Sequence, residues 1–136
     1  MQRHFLLTIC LMSILFLQGC ANLHAHESSS SYEAQGTASW YGKKFQRKKT
    51  ASGERFDMHQ MTAAHRTLPL SSHVLVTNLR NGKKVAVKIN DRGPFTHHRL
   101  IDLSYAAAKR LGFTGQGTAK VAIKRISAAE AKRVNA

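Results

Sequence analysis

Four side chains in this sequence could carry acid–base chemistry, and three of them are carboxylates. Asp91 lies in Asn90-Asp91-Arg92-Gly93-Pro94-Phe95, directly after an apolar run. Gly93 and Pro94 break that run, so the carboxylate falls at the lip of a strand, where a groove could expose it for proton transfer. The same setting suits an Asp that only bonds its own backbone in a turn. Glu54 lies in the polar, Gly-containing stretch Thr50–Asp57, and His65 lies in Thr62–Pro69 beside apolar residues. Asp102, in Ile101-Asp102-Leu103-Ser104, alternates inward just ahead of a helix. An acid there can equally serve the helix's first amides and its dipole. With only 7 Asp and Glu residues in the whole chain, the inventory is short. His59, His65, His73, His97 and His98 show no metal-ligand spacing with one another or with a Cys, so no metal and no cofactor is expected.

Strands and turns must position these groups. Thr37–Tyr41 reads as a short strand ended by Gly42. His73–Leu79 and Lys84–Asn90 are β-branched or alternating, and Arg80-Asn81-Gly82-Lys83 between them is a hairpin signal. Both central residues of such a turn tolerate positive φ. Val85, Val87 and Ile89 face one way; Lys84, Ala86, Lys88 and Asn90 face the other. Ser104–Leu111 reads as one helix, with Ser104 as N-cap, three alanines inside, Lys109 and Arg110 in the last turn, and Gly112 as the stop. Gly117–Ile126 reads as a closing strand. Strands outnumber helices, and a small β domain hides its edges best by closing into a barrel.

The N-terminus reads as an address. Arg3 and His4 precede an uncharged apolar run from Phe5 to Leu17, the layout of a secretory signal peptide. Leu17-Gln18-Gly19-Cys20 resembles a bacterial lipobox, which implies lipidation of Cys20 and loss of residues 1–19. By resemblance to Gram-negative lipoproteins, Ala21 after the cysteine, in place of Asp, implies the periplasmic face of the outer membrane rather than the inner one. Cys10 would leave with the signal, so the mature domain would hold no free thiol, no thiolate metal site and no disulfide. Residues 20–35, with four consecutive serines, read as a flexible tether. The domain then runs from 36 to 126, with a charged, Ala-rich tail over 127–136.

Lys and Arg number 21, for a net charge of +14 in 136 residues. In an exported protein this charge meets anionic lipid and anionic wall polymer, and no nucleic acid partner is expected. The run Lys43-Lys44-Phe45-Gln46-Arg47-Lys48-Lys49 concentrates it.

Six ordered motifs carry a resemblance. They are Gly36-Thr-Ala-Ser-Trp-Tyr-Gly42, Thr50-Ala-Ser-Gly-Glu-Arg-Phe-Asp57, Thr62-Ala-Ala-His-Arg-Thr-Leu-Pro69, Val76-Thr-Asn-Leu79, Ile89-Asn-Asp-Arg-Gly-Pro-Phe95 and Ile101-Asp-Leu-Ser104. Together they resemble the rare lipoprotein A family over residues 36–126. The resemblance implies a mainly β fold, a six-stranded double-psi β-barrel with one or two short helices. It implies endolytic lytic transglycosylase activity on peptidoglycan glycan strands, with a preference for strands lacking stem peptides. The domain is expected to act as a monomer. The resemblance matches the family's important acid to Asp91, its Glu to Glu54 and its His to His65, with Asp102 in reserve. Many members carry a second glycan-binding domain, whereas this sequence ends ten residues after the barrel.

A lytic transglycosylase needs only one carboxylic acid, because the sugar's own C6 hydroxyl replaces water. Asp91 would protonate the leaving oxygen and then accept the C6 proton, with Glu54 and His65 positioning sugar or polarising that hydroxyl. Trp40, Tyr41 and Phe95 are candidates to stack on sugar faces, with core packing expected for at least one. Arg92 would oppose protonation of Asp91 if their side chains paired, so it is expected to turn away. The alternative reading is an expansin-like barrel that binds or loosens wall polymer without cutting it.

Overall fold

The computed structural model describes residues 31–136. The lipobox, Cys20 and the signal segment lie outside the described residues. Six strands, β1 (Glu33–Tyr41), β2 (Thr62–Ala64), β3 (His73–Asn78), β4 (Lys84–Asp91), β5 (Ile101–Ser104) and β6 (Thr118–Ile126), close a barrel in the order β1-β5-β2-β4-β3-β6. The pairs β1/β5 and β2/β4 are parallel and the rest antiparallel. Closure leaves no open sheet edge. Val74, Val76, Val85, Val87, Ile89, Ile101, Leu103, Val121 and Ile123 fill the interior, joined by Leu111 and Phe113.

The helix α1 (Tyr105–Leu111) forms as its sequence directs. Ser104 Oγ accepts the Ala107 N–H, and Gly112 ends the helix at φ +77. The orphaned Leu111 carbonyl at its C-terminus accepts from both Asn78 Nδ2 and Asn81 Nδ2, each at 3.0 Å. The helix is thereby tied to the β3–β4 hairpin. Only Gly82 in that hairpin has positive φ, +72. Asn81 keeps φ negative and uses its side chain instead, accepting the Lys83 N–H at 3.0 Å.

The two ends of the domain depart from expectation. β1 begins at Glu33, inside the stretch read as tether, because β6 supplies partners as far as Glu33↔Lys124. The expected tail is a helix, α2 (Ala128–Asn135), capped by Ser127 and packed on β4 and β3. Asn135 donates to the Ala86 carbonyl at 2.8 Å and accepts the Ala86 N–H at 3.0 Å. It therefore satisfies a stretch of β4 that β2 is too short to reach, and it explains why outward-facing Ala86 is buried.

Candidate active site

A cleft of about 850 Å³ crosses the outside of the barrel over β1, β5, β2 and β4. Its floor is one row of registered residues. Ser39 pairs with Asp102, Asp102 with Ala64, and Ala64 with Asp91, and all four line the cleft. Adjacent strands lie about 4.8 Å apart, so the two aspartates stand roughly 10 Å apart at Cα, with Ala64 between them.

A β-bulge delivers Asp91 to that row. Ala63 pairs with Ile89 but Ala64 pairs with Asp91, so Asn90 is the extra residue. Strict alternation from Val85, Val87 and Ile89 would have put Asp91 on the core face. Once there, Asp91 Oδ1 accepts the Ala51 N–H at 3.0 Å and the Arg92 N–H at 2.8 Å. Among the described residues its Oδ2 has no hydrogen-bond partner. The Arg92 guanidinium turns away, as expected, and Nη1 donates to the carbonyls of His65 at 3.2 Å and Leu68 at 2.8 Å.

Asp102 faces the cleft and not the core, which corrects the inward reading; Ile101 and Leu103 take the core positions. It does not cap α1, a task Ser104 performs. Both of its oxygens are held by Arg99, Nε to Oδ1 at 2.8 Å and Nη2 to Oδ2 at 3.2 Å. Nothing in the sequence pattern singled out Arg99; a loop brings it back over the strand that follows.

Glu54 and His65 do not line the cleft. Glu54 Oε1 accepts from Lys88 Nζ at 2.7 Å and Oε2 from Asn90 Nδ2 at 3.4 Å. The Lys88 contact is the main reason its carboxyl sits below the usual carboxylate range. His65 is 3% exposed. Its Nδ1 accepts the N–H groups of Thr67 and Leu68 at 3.2 and 3.1 Å, so the proton of the neutral ring is on Nε2, 3.3 Å from Tyr32 Oη. Burial first, then Arg66 and Arg92, lowers its pKa. Both side chains are thus committed to protein partners beside the cleft rather than on its floor.

The three aromatic candidates separate. Phe95 is 86% exposed at the cleft rim, an open apolar face. Trp40 is packed edge-on to Tyr105 and Tyr41 is packed against Phe45 and Phe56, so both rings are held by protein although they line the cleft. Tyr41 Oη is buried without a partner among the described residues, and its pKa is pushed far up by burial, then by Asp91 and Asp102. Lys43, Lys44, Lys48 and Lys49 form a basic wall, with the Lys44 and Lys48 ammonium groups 5.0 and 5.2 Å from the Phe45 ring centre. Among the described residues no three His, Cys, Asp or Glu side chains converge as a metal site requires.

Known proteins resemble this arrangement at two levels. In sequence, the chain is 59% identical over 96 residues to an endolytic peptidoglycan transglycosylase RlpA of Pseudomonas aeruginosa, covering 71% of this chain and 28% of that protein. It is 56% identical over 97 residues to the protein of that name from Neisseria meningitidis, covering 71% of this chain and 41% of the other. The chain thus spans well under half the length of these curated relatives. In structure, it resembles a Clavibacter michiganensis expansin with TM-score 0.58 and 19% identity, covering 71% of this chain and 52% of that one. It also resembles a Streptomyces papain inhibitor with TM-score 0.57 and 23% identity, covering 71% and 96%. These two likenesses establish the fold, a double-psi β-barrel. The family model described as lytic transglycolase matches residues 33–123, nearly the whole barrel, and the chain belongs to that family.

Proposed function

We propose that this protein cleaves peptidoglycan glycan strands as an endolytic lytic transglycosylase, with Asp91 as the single acid and base. One observation carries the reading: on the cleft floor backbone amides fix Asp91 Oδ1, while among the described residues Oδ2 has no hydrogen-bond partner. Protonated Oδ2 gives its proton to the glycosidic oxygen as the bond from C1 breaks. The C6 hydroxyl oxygen of the same sugar then bonds to C1 and passes its proton to the Asp91 carboxylate. The product is a 1,6-anhydro end, no water is consumed, and Asp91 returns to its starting state. Effective molarity favours this internal attack over attack by water.

A two-carboxylate hydrolysis would need a second carboxylate across the bond, as the base that activates water or as the nucleophile. Asp102 is the one carboxylate level with Asp91, and its oxygens are taken up by Arg99. The cleft therefore favours anhydro ends over reducing ends. Phe95 offers the exposed platform for a pyranose face, and the lysine wall supplies affinity for an anionic polymer. Lipidation at Cys20 would hold the domain, as a monomer, on the periplasmic face of the outer membrane, beside its substrate. The mass of the N-terminal peptide tests that anchor.

Mass spectrometry of purified peptidoglycan, intact and stripped of stem peptides, tests the activity after incubation with the protein. New anhydro-ended fragments, more abundant from stripped strands, are expected. Reducing ends would indicate hydrolysis. Binding with no new sugar ends on either substrate would point to the expansin-like alternative.

A further inference from the structure

We infer that Glu54 and His65 are positioning residues that act through Asp91, each bracing one of the two loops that close on it. The inference rests on the reading of Asp91 as the acid. It assigns neither residue a proton exchange with the sugar.

Glu54 braces the first loop. Residues 50–54 form a tight loop in which Thr50 donates to the Glu54 carbonyl through both N–H and Oγ1, each at 2.8 Å. Ala51, at its tip, gives Asp91 Oδ1 one of its two amides. Two fastenings hold the loop on β4. Ser52 N–H donates to the Asn90 carbonyl at 3.1 Å, and Glu54 grips Lys88 Nζ and Asn90 Nδ2. Lys88 and Asn90 are three residues and one residue before Asp91, so Glu54 fixes the Ala51 amide relative to the strand that carries the acid.

His65 braces the second. Its own N–H donates to the Asp91 carbonyl at 3.2 Å. Its Nδ1 gathers the amides of residues two and three further on, the pattern that Asn, Asp and Ser side chains use to hold turns. The turn so made presents the carbonyls of His65 and Leu68 to the Arg92 guanidinium. Without that receptacle the Arg92 guanidinium, on the residue next to Asp91, is free to swing onto its carboxylate. An imidazole with Nδ1 committed to two donors and Nε2 facing Tyr32 has no nitrogen available to the cleft.

Conservative variants discriminate bracing from chemistry. His65→Asn keeps an acceptor at the right spacing for the two amides but removes the imidazole. Glu54→Gln keeps an acceptor for Lys88 but removes the charge. Both should form anhydro ends within about tenfold of wild type, whereas His65→Ala and Glu54→Ala should lose about 100-fold, the scale of losing a supporting contact. Two NMR readouts accompany the rates. The Ala51 amide should lose exchange protection in Glu54→Ala and keep it in Glu54→Gln. The His65 ring should show the neutral Nε2–H tautomer throughout the active pH range. Conservative variants as inactive as Asp91→Asn, with the Ala51 amide unchanged, would overturn the inference and leave the enzyme reading intact. A wild type that forms no anhydro ends would instead overturn the enzyme reading. In that case Ala51 protection surviving in Glu54→Ala would sink the bracing as well.

Discussion

Asp91 and Asp102 stand level with each other on the cleft floor, each in register with Ala64 on the strand between them. The near-symmetry ends at the side chains. Arg99 holds both oxygens of Asp102, whereas among the described residues Asp91 Oδ2 has no hydrogen-bond partner. Identical residue types on neighbouring strands are thus given different work by what the loops bring to them.

This asymmetry makes Asp102 a structural partner of Arg99. Asp102→Asn should lower stability by about 1–2 kcal/mol, the worth of charge-assisted hydrogen bonds in a half-buried site, and should leave the product type unchanged. Urea denaturation together with product analysis checks it. Loss of all product from a fully folded Asp102→Asn would make Asp102 the acid.

The lysine wall should act on binding and not on the chemical step. Replacing Lys44 and Lys48 by Gln should raise KM several-fold, leave kcat within about twofold, and flatten the dependence on salt. Rates measured from low to high NaCl test this. A fall in kcat with KM unchanged would contradict it.

Stability should fall on acidification. Burial lowers the pKa of His65 and His73 below the usual 6.5, so the unfolded chain takes up those protons first. Their contribution is complete above about pH 6.5 and is lost as pH falls through the folded values. Glu54, lowered from 4.5 chiefly by Lys88, adds a second loss of the same sign below about pH 4.5. Denaturant midpoints from pH 8 to about pH 2.5 should therefore decline in two stages, and His65→Asn should weaken the first. A midpoint that rises between pH 7 and pH 5.5 would contradict the assignment.

The C-terminal helix should contribute to the barrel through one polar side chain as well as through the packing of Ala131 and Val134. Asn135→Ala removes two hydrogen bonds to Ala86 and should cost about 1–3 kcal/mol. Amide exchange should then rise at Ala86 and not along β1. No change in either quantity would mean that the Asn135 hydrogen bonds contribute nothing to the barrel.

Local signals were legible in the sequence wherever one segment sets its own conformation. Ser104 and Gly112 bound a helix that needs no other information, and the alternation of Val85, Val87 and Ile89 marks a core strand. β2 carries no pattern because three residues between two partner strands need none. The start of β1 was invisible because β6, distant in sequence, decides how far it pairs. Asp91 was identified by its setting at the end of a strand, but the bulge that turns it into the cleft depends on pairing with β2. Glu54 and His65 stand out in the sequence by their settings, but their bonds to Lys88, Asn90 and the Thr67 and Leu68 amides do not, because those depend on how the loops fold onto β4. Arg99 was missed for the same reason: its partnership with Asp102 exists only once the loop folds back.

Asp91 carries the whole of the proposed chemistry. Mass spectrometry should compare peptidoglycan treated with wild type and with Asp91→Asn, a substitution that keeps the Oδ1 acceptor for the Ala51 and Arg92 amides. Wild type should yield 1,6-anhydro ends, and the variant should fold normally yet yield at least about 100-fold fewer, the scale of losing a general acid. Anhydro ends from a folded Asp91→Asn at the wild-type rate would contradict the account.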